Sequence, residues 1–243
     1  MLIAGIDLAW GYRNPDGICL IEQASSGEWE VRDWFLSLGT EALIYRCQQW
    51  KQEAKEKGKR KGKIWLMVDA PLLCLNQKGR RPVDGECQKV FRIYEAGPHP
   101  VNTSMPSVQR ALRFSRLMRK EGWIVDWDPK GQHQMMEVFP HPALVRFLGL
   151  KKSIKYKRGS REEKNLAFAD LQKKLKRFTA KHLPVIHEQA TAMGFWSSSW
   201  NKGLEDQLDA LICAMVGWHH YEYGGERSQI LGNQTEGFIL VPD

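Results

Sequence analysis

The sequence predicts an α/β protein with one mixed sheet flanked by helices, and three observations favour that fold class. Residues 2–36 hold three short apolar or alternating segments separated by turn residues, which is typical of an antiparallel meander. Residues 64–68 form a nearly continuous apolar run, as in a central strand that is covered on both faces. Between and after these segments, apolar residues recur at the spacing of amphipathic helices.

The first part of the chain supplies most of the predicted sheet. Leu2–Ala9 and Gly17–Glu22 are predicted strands joined by a turn around Asn14-Pro15-Asp16-Gly17, and Trp29–Leu36 alternates as a third strand. Thr40–Lys57 is a predicted helix. A basic loop from Lys57 to Lys63 then leads into the central strand, residues 64–68.

The rest of the chain is predicted to complete one domain, residues 1–243. Residues 72–106 are rich in glycine and proline and are predicted to be an irregular insertion, which in a compact domain is often functional. Residues 151–165 are predicted to be a basic loop. The other predicted elements are the helix Ser107–Glu121, the strand Met135–Phe139, a helix from His141-Pro142 to Leu148, the helices Asn165–His182 and Leu204–Tyr221, and the strand Phe238–Val241.

Composition is that of an ordinary globular protein. The chain has 243 residues, 42% hydrophobic and 26% charged. It contains no apolar run near the roughly 20 residues that cross a bilayer, and its first residues lack the pattern of a secretory signal. We therefore expect a cytoplasmic protein. The five cysteines lack zinc-ligand spacing, and we expect them to be reduced and mostly buried.

Positive charge is concentrated in two segments of the chain. The net charge is +8; residues 151–181 hold twelve Lys and Arg against three Asp and Glu, and residues 51–63 hold seven against two. This clustering favours a polyanionic partner, nucleic acid first, over the alternative that the charge serves solubility alone.

Acidic residues end or flank several apolar elements. Asp7 ends the first strand, Asp69 ends the central strand, and Glu137 lies in the strand before Pro140. Asp206 and Asp209 are three residues apart, which places them on one helical face. If the first and central strands are neighbours, Asp7 and Asp69 lie close together and require a cation or protons between them. Clustered carboxylates suit Mg²⁺ or Mn²⁺, and two such ions can support phosphodiester hydrolysis.

Each of these acids also has a simpler interpretation. A single aspartate at the end of a strand is commonly a cap or turn residue, and Asp206 fits a favourable charge near a helix N-terminus. Glu137 has Arg146 and Lys155 as candidate ion-pair partners.

Six short motifs occur in order along the chain. They are Gly5-Ile6-Asp7-Leu8-Ala9-Trp10, Val68-Asp69-Ala70-Pro71-Leu72, Arg81-Pro82-Val83-Asp84, Glu137-Val138-Phe139-Pro140-His141-Pro142, Lys155-Tyr156-Lys157 and Asp206-Gln207-Leu208-Asp209-Ala210-Leu211. In this order they resemble the domain of unknown function 429, a family described as predicted RNase H-like nucleases, over roughly residues 2–243. The resemblance implies an RNase H-like five-stranded mixed sheet with three antiparallel strands, similar to that of Holliday-junction resolvases.

The resemblance also implies a set of site residues. It makes Asp7, Asp69, Asp206 and Asp209 metal ligands; in our own nuclease hypothesis the metal is Mg²⁺ or Mn²⁺ and Asp7 bridges two ions. Glu137 belongs to a family motif without a counterpart in the resolvase set and is kept as a fifth candidate catalytic residue. The nuclease activity of the family is itself a prediction.

Other polar residues are candidates for substrate binding. Arg80, Arg81 and Asp84 lie in the predicted insertion and either touch substrate or pair with one another. His141 is a candidate phosphate contact or proton-transfer group, with a capping role as the alternative. Lys155 and Lys157 are candidate contacts to a phosphate backbone, with a solvated basic loop as the alternative.

Three functions fit these observations. The first is a metal-dependent nuclease in which a metal-bound water attacks the scissile phosphate. The second is a nucleotide-binding or phosphotransferase protein of the related actin-like fold, although Tyr12-Arg13-Asn14-Pro15 lacks the residues of a phosphate-binding hairpin. The third is a non-catalytic nucleic-acid-binding protein on the same fold.

Overall fold

The chain folds around a six-stranded mixed sheet. The computed structural model of the protein describes residues 1–11, 13–56 and 62–243. The strands are β1 (Leu2–Asp7), β2 (Asp16–Gln23), β3 (Trp29–Ser37), β4 (Ile64–Val68), β5 (Ile124–Val125), β6 (His133–Glu137), β7 (Ser228–Asn233) and β8 (Gly237–Pro242). The helices are α1 (Thr40–Glu56), α2 (Pro82–Phe91), α3 (Pro106–Lys120), α4 (Pro140–Leu148), α5 (Arg161–His182), α6 (Pro184–Ala192) and α7 (Lys202–Glu222).

The strand order confirms the predicted fold class. The order is β3-β2-β1-β4-β6-β5, with β1, β2 and β3 antiparallel and β4, β6 and β5 parallel to β1. The sheet has six strands rather than five because the two-residue strand β5 adds an edge. The predicted last strand pairs with β7 in a separate hairpin and reaches the sheet through one bridge, between Val138 and Leu240.

The two faces of the sheet bury different helices. In β1, Ile3 packs on the α7 side, whereas Leu2, Ala4 and Ile6 pack on the side of α1 and α3. This alternation follows from the two-residue period of a strand. It also places Asp7, the last residue of β1, on the α7 side with Ile3.

Two glycines allow α7 to lie directly against β1 and β2. A Cβ atom on Gly5 would stand 1.9 Å from the carbonyl oxygen of Ala210, and one on Gly17 would stand 2.0 Å from that of Asp206. Any side chain at these positions would force the helix away from the sheet. The close approach brings the N-terminal half of α7 over the end of β1.

Some predicted elements differ from the structure. The prediction of an irregular segment over residues 72–106 is wrong for α2. Pro82 begins this helix, the Asp84 carboxylate fixes its first turn by accepting from the backbone N–H of Arg81 at 3.2 Å, and Val83, Cys87 and Phe91 are buried.

Other differences concern the C-terminal half and the basic loops. The basic loop ends at Ser160 instead of 165, since Ser160 and Glu163 form a capping box that starts α5. Helix α6 was not predicted. The predicted basic loop Lys57–Lys63 lies mostly outside the described residues.

Two sequence-wide observations complete the description. All five cysteines are free and buried. Among the residues that the structure describes, no helix is long and apolar enough to cross a membrane.

Candidate functional site

The ends of two parallel strands bring Asp7 and Asp69 together. Strands β1 and β4 are neighbours, which is the condition under which the sequence places Asp7 and Asp69 close together, and the backbone N–H of Asp69 donates to the carbonyl of Ile6 at 2.9 Å. In β4, Trp65 and Met67 face α7, so the alternation of the strand sends Asp69 toward the same side as Asp7.

Helix α7 supplies two more acids above this edge. Asn201 caps the helix by accepting from the N–H of Leu204 at 3.0 Å. Asp206 and Asp209 then follow in the first turns and are both buried, Asp209 completely. Helical spacing and the contact at Gly17 direct both toward the ends of the strands. The structure therefore brings together Asp7, Asp69, Asp206 and Asp209.

The acids share one electrostatic environment. Burial raises the pKa of Asp7 well above its usual range, and the charges of Asp209, Asp69 and Asp206 raise it further against the opposing effect of Lys157. Burial raises the pKa of Asp69 to about 7; the charges of Asp209 and Glu137 add to this effect, and those of Lys157 and Lys202 oppose it. Burial also raises the pKa of Asp206, which shares a hydrogen bond with Asp7. Negative charge in this cluster is unfavourable without a cation.

Asp209 is held by the segment 151–160. The hydroxyl of Tyr156 donates to Oδ1 of Asp209 at 2.5 Å, and the Nζ atom of Lys157 lies 2.5 Å from Oδ2. Oδ2 has no other polar partner within the described residues. Burial alone would lower the pKa of Lys157, but the attraction of Asp209, Tyr156, Asp7 and Asp69 outweighs burial and raises it. The lysine is therefore a stable cation inside the acidic cluster.

A second lysine neutralises the outer side of α7. The Nζ atom of Lys202 lies 2.7 Å from both Asp206 and Glu205. The indole N–H of Trp200 donates to the other oxygen of Glu205 at 2.7 Å. Glu205 is therefore satisfied by Trp200 and Lys202, and it is linked to the four-acid cluster only through the lysine that it shares with Asp206.

Glu137 belongs to a different cluster. Both of its oxygens accept from the Arg81 guanidinium, at 2.6 and 2.9 Å, and one also accepts from the N–H of Leu72. Arg81 also pairs with Asp84 at 2.7 Å, and all three side chains are buried. Alternation along β6 turns Glu137 away from the α7 side, where Met136 packs. Arg81 and Asp84 thus pair with each other and with Glu137, which leaves neither of them exposed to a substrate.

His141 lies at the edge of the site as a neutral ring. Its Nδ1 atom is 3.2 Å from the Ser153 hydroxyl. Burial, together with Lys157, Lys155 and Arg158, lowers the pKa of His141 to about 3. The imidazole is therefore uncharged at neutral pH and is suited to hydrogen bonding, not to charge pairing with a phosphate.

A basic cleft of about 650 Å³ opens beside the acids. Asp69 and Lys157 line it from the acidic side, and Trp10, 59% exposed, lines it as an aromatic surface. Its remaining charged lining is mainly basic and includes Arg80, Arg92, Lys155 and Arg158. Lys155 is partly neutralised by Glu95, at 3.3 Å. A larger cleft of about 830 Å³, near Arg116 and Trp123, contains none of the four acids.

Several contributing residues were not predicted. Asp16, treated as a turn residue, is fully buried and pairs with Arg110 at 2.8 Å. Asp16 accepts from the backbone N–H of Ala9, and Arg110 donates to the carbonyl of Ala9. These two contacts fix the chain between Asp7 and Trp10. Trp10 follows Asp7 by three residues, and this closeness in sequence to a candidate site residue could have indicated that Trp10 lies at the site. Arg110 carried no such signal.

The donor chemistry of the cluster fits a divalent cation. The four carboxylates are an oxygen-only set of the kind that Mg²⁺ and Mn²⁺ prefer. The hydrogen bond between the Asp7 and Asp206 carboxyls requires a proton where a cation would relieve the same repulsion. Within the described part of the chain, however, no three Asp, Glu, His or Cys side chains already surround one metal position. Ion binding thus requires the carboxylates to draw closer.

Comparison with known proteins identifies the family. The chain matches the family described as Protein of unknown function (DUF429) over residues 5–236. It belongs to this family. No curated protein matches the chain.

Similar solved structures include two Holliday junction resolvases. The yeast mitochondrial Holliday junction resolvase Ydc2 is 11% identical, with a TM-score of 0.43 over 92% of this chain and 80% of that chain. RuvC of T. thermophilus, in complex with Holliday junction substrate, is 12% identical, with a TM-score of 0.38 over 93% of this chain and 98% of that chain.

Proposed function

We propose that this DUF429 protein is a metal-dependent nuclease that hydrolyses phosphodiester bonds in nucleic acid. The observation that carries the proposal is that the four-acid cluster and the basic cleft adjoin each other. The four-acid cluster meets the basic cleft at Asp69 and Lys157, which line both. A cation held by the acids and a phosphate held by the cleft would therefore lie side by side.

The acids of the cluster would hold the ion. Asp7, Asp69 and Asp206 have raised pKa values because they are buried together, and a cation would allow all three to ionise. When bound, Mg²⁺ or Mn²⁺ supplies Lewis-acid polarisation of a phosphate oxygen and acidifies a bound water. The number of ions depends on Lys157, whose ammonium already lies against Asp209.

The cleft would hold the nucleic acid. Arg80, Arg92 and Arg158 offer guanidinium groups to phosphate oxygens, a pairing that favours bidentate contact. Trp10 offers an exposed indole face next to Asp69, suited to stacking on an unpaired base. His141 contributes a neutral hydrogen-bonding group to the lining of the cleft.

Cleavage assays test the proposal directly. The full chain is incubated with single-stranded, branched and RNA–DNA hybrid substrates in Mn²⁺ or Mg²⁺, and in EDTA. Asp7→Asn removes a cluster carboxylate, and Asp170→Asn, on the surface of α5 beside Lys174, is the matched control. We expect metal-dependent cleavage by the wild-type chain and the control. In Asp7→Asn the rate should fall by at least about a hundredfold, because even the loss of an outer-shell partner costs about 10–100-fold.

Two outcomes would redirect the proposal. Cleavage that persists in Asp7→Asn would exclude the cluster as the catalytic centre. Binding of ATP in calorimetry, without any effect of DNA or RNA, would favour the alternative of a nucleotide-binding protein of the actin-like fold.

A further inference from the structure

We infer that Lys157 takes the place of a second metal ion in this site, so that the cluster binds a single divalent cation. The inference deepens the proposed function, since it concerns the same cluster. It differs from the two-ion arrangement that the sequence predicts. It rests on the contacts of Asp209 and on the position of the Lys157 ammonium.

Both oxygens of Asp209 are already engaged. Oδ1 accepts from the Tyr156 hydroxyl at 2.5 Å, and Oδ2 faces the Nζ atom of Lys157 at 2.5 Å. The ammonium 2.5 Å from Oδ2 repels any further cation that approaches this oxygen, so Asp209 is disfavoured as a metal ligand while Lys157 is in place. Asp206 also pairs with a lysine, Lys202 at 2.7 Å, but that lysine side chain is 57% exposed, so water can solvate it when an ion binds. Asp7, Asp69 and Asp206 therefore remain as ligands, which is enough for one ion that completes its shell with water and substrate oxygens.

The ammonium of Lys157 lies where a second cation would be needed. It attracts Asp7, Asp69 and Asp209 together, and it lines the cleft from the same position. Tyr156 is fully buried next to it, and the adjoining Ser153 is hydrogen-bonded to His141, so the segment that carries the lysine is packed in place. Lys157 thus supplies positive charge both to the acids and to a phosphate in the cleft.

Counting bound Mn²⁺ tests the inference without nucleic acid. The full chain is dialysed against Mn²⁺, and bound metal per chain is measured. Lys157→Met frees Oδ2 of Asp209, which has no other polar partner in the described residues. Lys155→Met, two residues away and paired with Glu95 on the surface, is the matched control. We expect one ion for the wild-type chain and for Lys155→Met, and two for Lys157→Met.

A double variant guards against misfolding of the single one. Lys157→Met with Asp209→Asn removes both members of the ion pair, so no buried charge is left unpaired. We expect it to bind one ion, because Asp7, Asp69 and Asp206 are intact. Binding of two ions by the double variant, or of none, would overturn the inference.

The remaining outcomes separate the inference from the proposed function. Two ions in the wild-type chain, or one in a folded Lys157→Met, would overturn the inference and leave a metal-dependent nuclease standing. One ion in the wild-type chain and two in Lys157→Met, without cleavage of any substrate, would support the inference and overturn the proposed function. If neither the wild-type chain nor Lys157→Met bound Mn²⁺, both the inference and the proposed function would be overturned.

Discussion

Asp69 links the stability of the protein to pH. Its pKa of about 7 lies above the ordinary value of an aspartate because the folded chain buries it near Asp209. The folded chain therefore holds a proton that the unfolded chain releases, and the free energy of unfolding should fall as pH rises from about 4 to about 7.

The variant Asp69→Asn isolates this contribution. Because the amide does not titrate, the variant should lose the part of the pH dependence that Asp69 supplies. Urea unfolding in EDTA, at several values between about pH 4 and about pH 8, gives the two profiles. Parallel profiles for the wild-type chain and the variant would contradict the raised pKa.

Glu137 should affect stability without affecting metal uptake. Glu137→Gln leaves the buried Arg81 guanidinium with only Asp84 as a charged partner, and breaking a buried pair costs about 3–5 kcal/mol. For a chain of this size we expect the melting temperature to fall by roughly 6–20 °C. Bound Mn²⁺ per folded chain should stay at the wild-type value. Loss of metal binding in a folded Glu137→Gln would instead return Glu137 to the site.

At the scale of elements, strand alternation could have separated Glu137 from the other acids. Asp7 lies four residues after Ile3 and Asp69 two after Met67, so each faces α7, whereas Glu137 adjoins Met136 and faces the other way. The apolar run of β4 and the i, i+3 pair on α7 could be predicted because each depends only on the local period of its own strand or helix. The ion-pair partner of Glu137 could not be predicted in this way, because Arg81 is 56 residues distant in the sequence.

Helix α2 and the Asp16–Arg110 ion pair were not predicted, each for a physical reason. Glycine and proline around α2 obscured a helix whose first turn is fixed by Asp84, which accepts from the backbone N–H of Arg81 and pairs with its guanidinium. The Asp16–Arg110 pair joins residues 94 apart, a contact that no local pattern encodes. Sequence patterns thus indicated the acids and six of the eight strands that the structure describes, all but β5 and β7, while long-range ion pairs appeared only in the structure.

The contact between β1 and α7 should be essential to the site. In Gly5→Ala the new methyl group would meet the Ala210 carbonyl at 1.9 Å, so the helix has to move and carry Asp206 and Asp209 with it. We expect a loss of about 1–3 kcal/mol of stability, as for other overpacked contacts, together with weaker Mn²⁺ binding.

Gly11→Ala is the matched control for this substitution. Among the residues that the structure describes, and apart from its own chain neighbours, a Cβ atom at Gly11 would meet no heavy atom within 4 Å, so the stability of Gly11→Ala should change by no more than about 0.5 kcal/mol. Chemical denaturation and Mn²⁺ titration of both variants check the expectation. Equal stability and equal metal binding in the two variants would contradict the close packing of α7 on the sheet.

Across the whole molecule, the net charge of +8 predicts salt-dependent binding of nucleic acid. If Arg158 contacts one phosphate in the cleft, Arg158→Gln should reduce the slope of log affinity against log salt by about 1. Lys130→Gln, outside the cleft lining, should leave the slope unchanged. Fluorescence anisotropy with a labelled single strand gives both slopes. Equal slopes for the two variants would place the phosphates elsewhere.

The central claim is that the acids at the ends of β1 and β4 and on α7 bind a divalent cation. Anomalous diffraction from crystals soaked in Mn²⁺ tests it most directly. We expect an anomalous peak in contact with the carboxylates of Asp7, Asp69 and Asp206, beside the Lys157 ammonium. Occupied Mn²⁺ sites elsewhere in the crystal, with no peak at these three carboxylates, would contradict it.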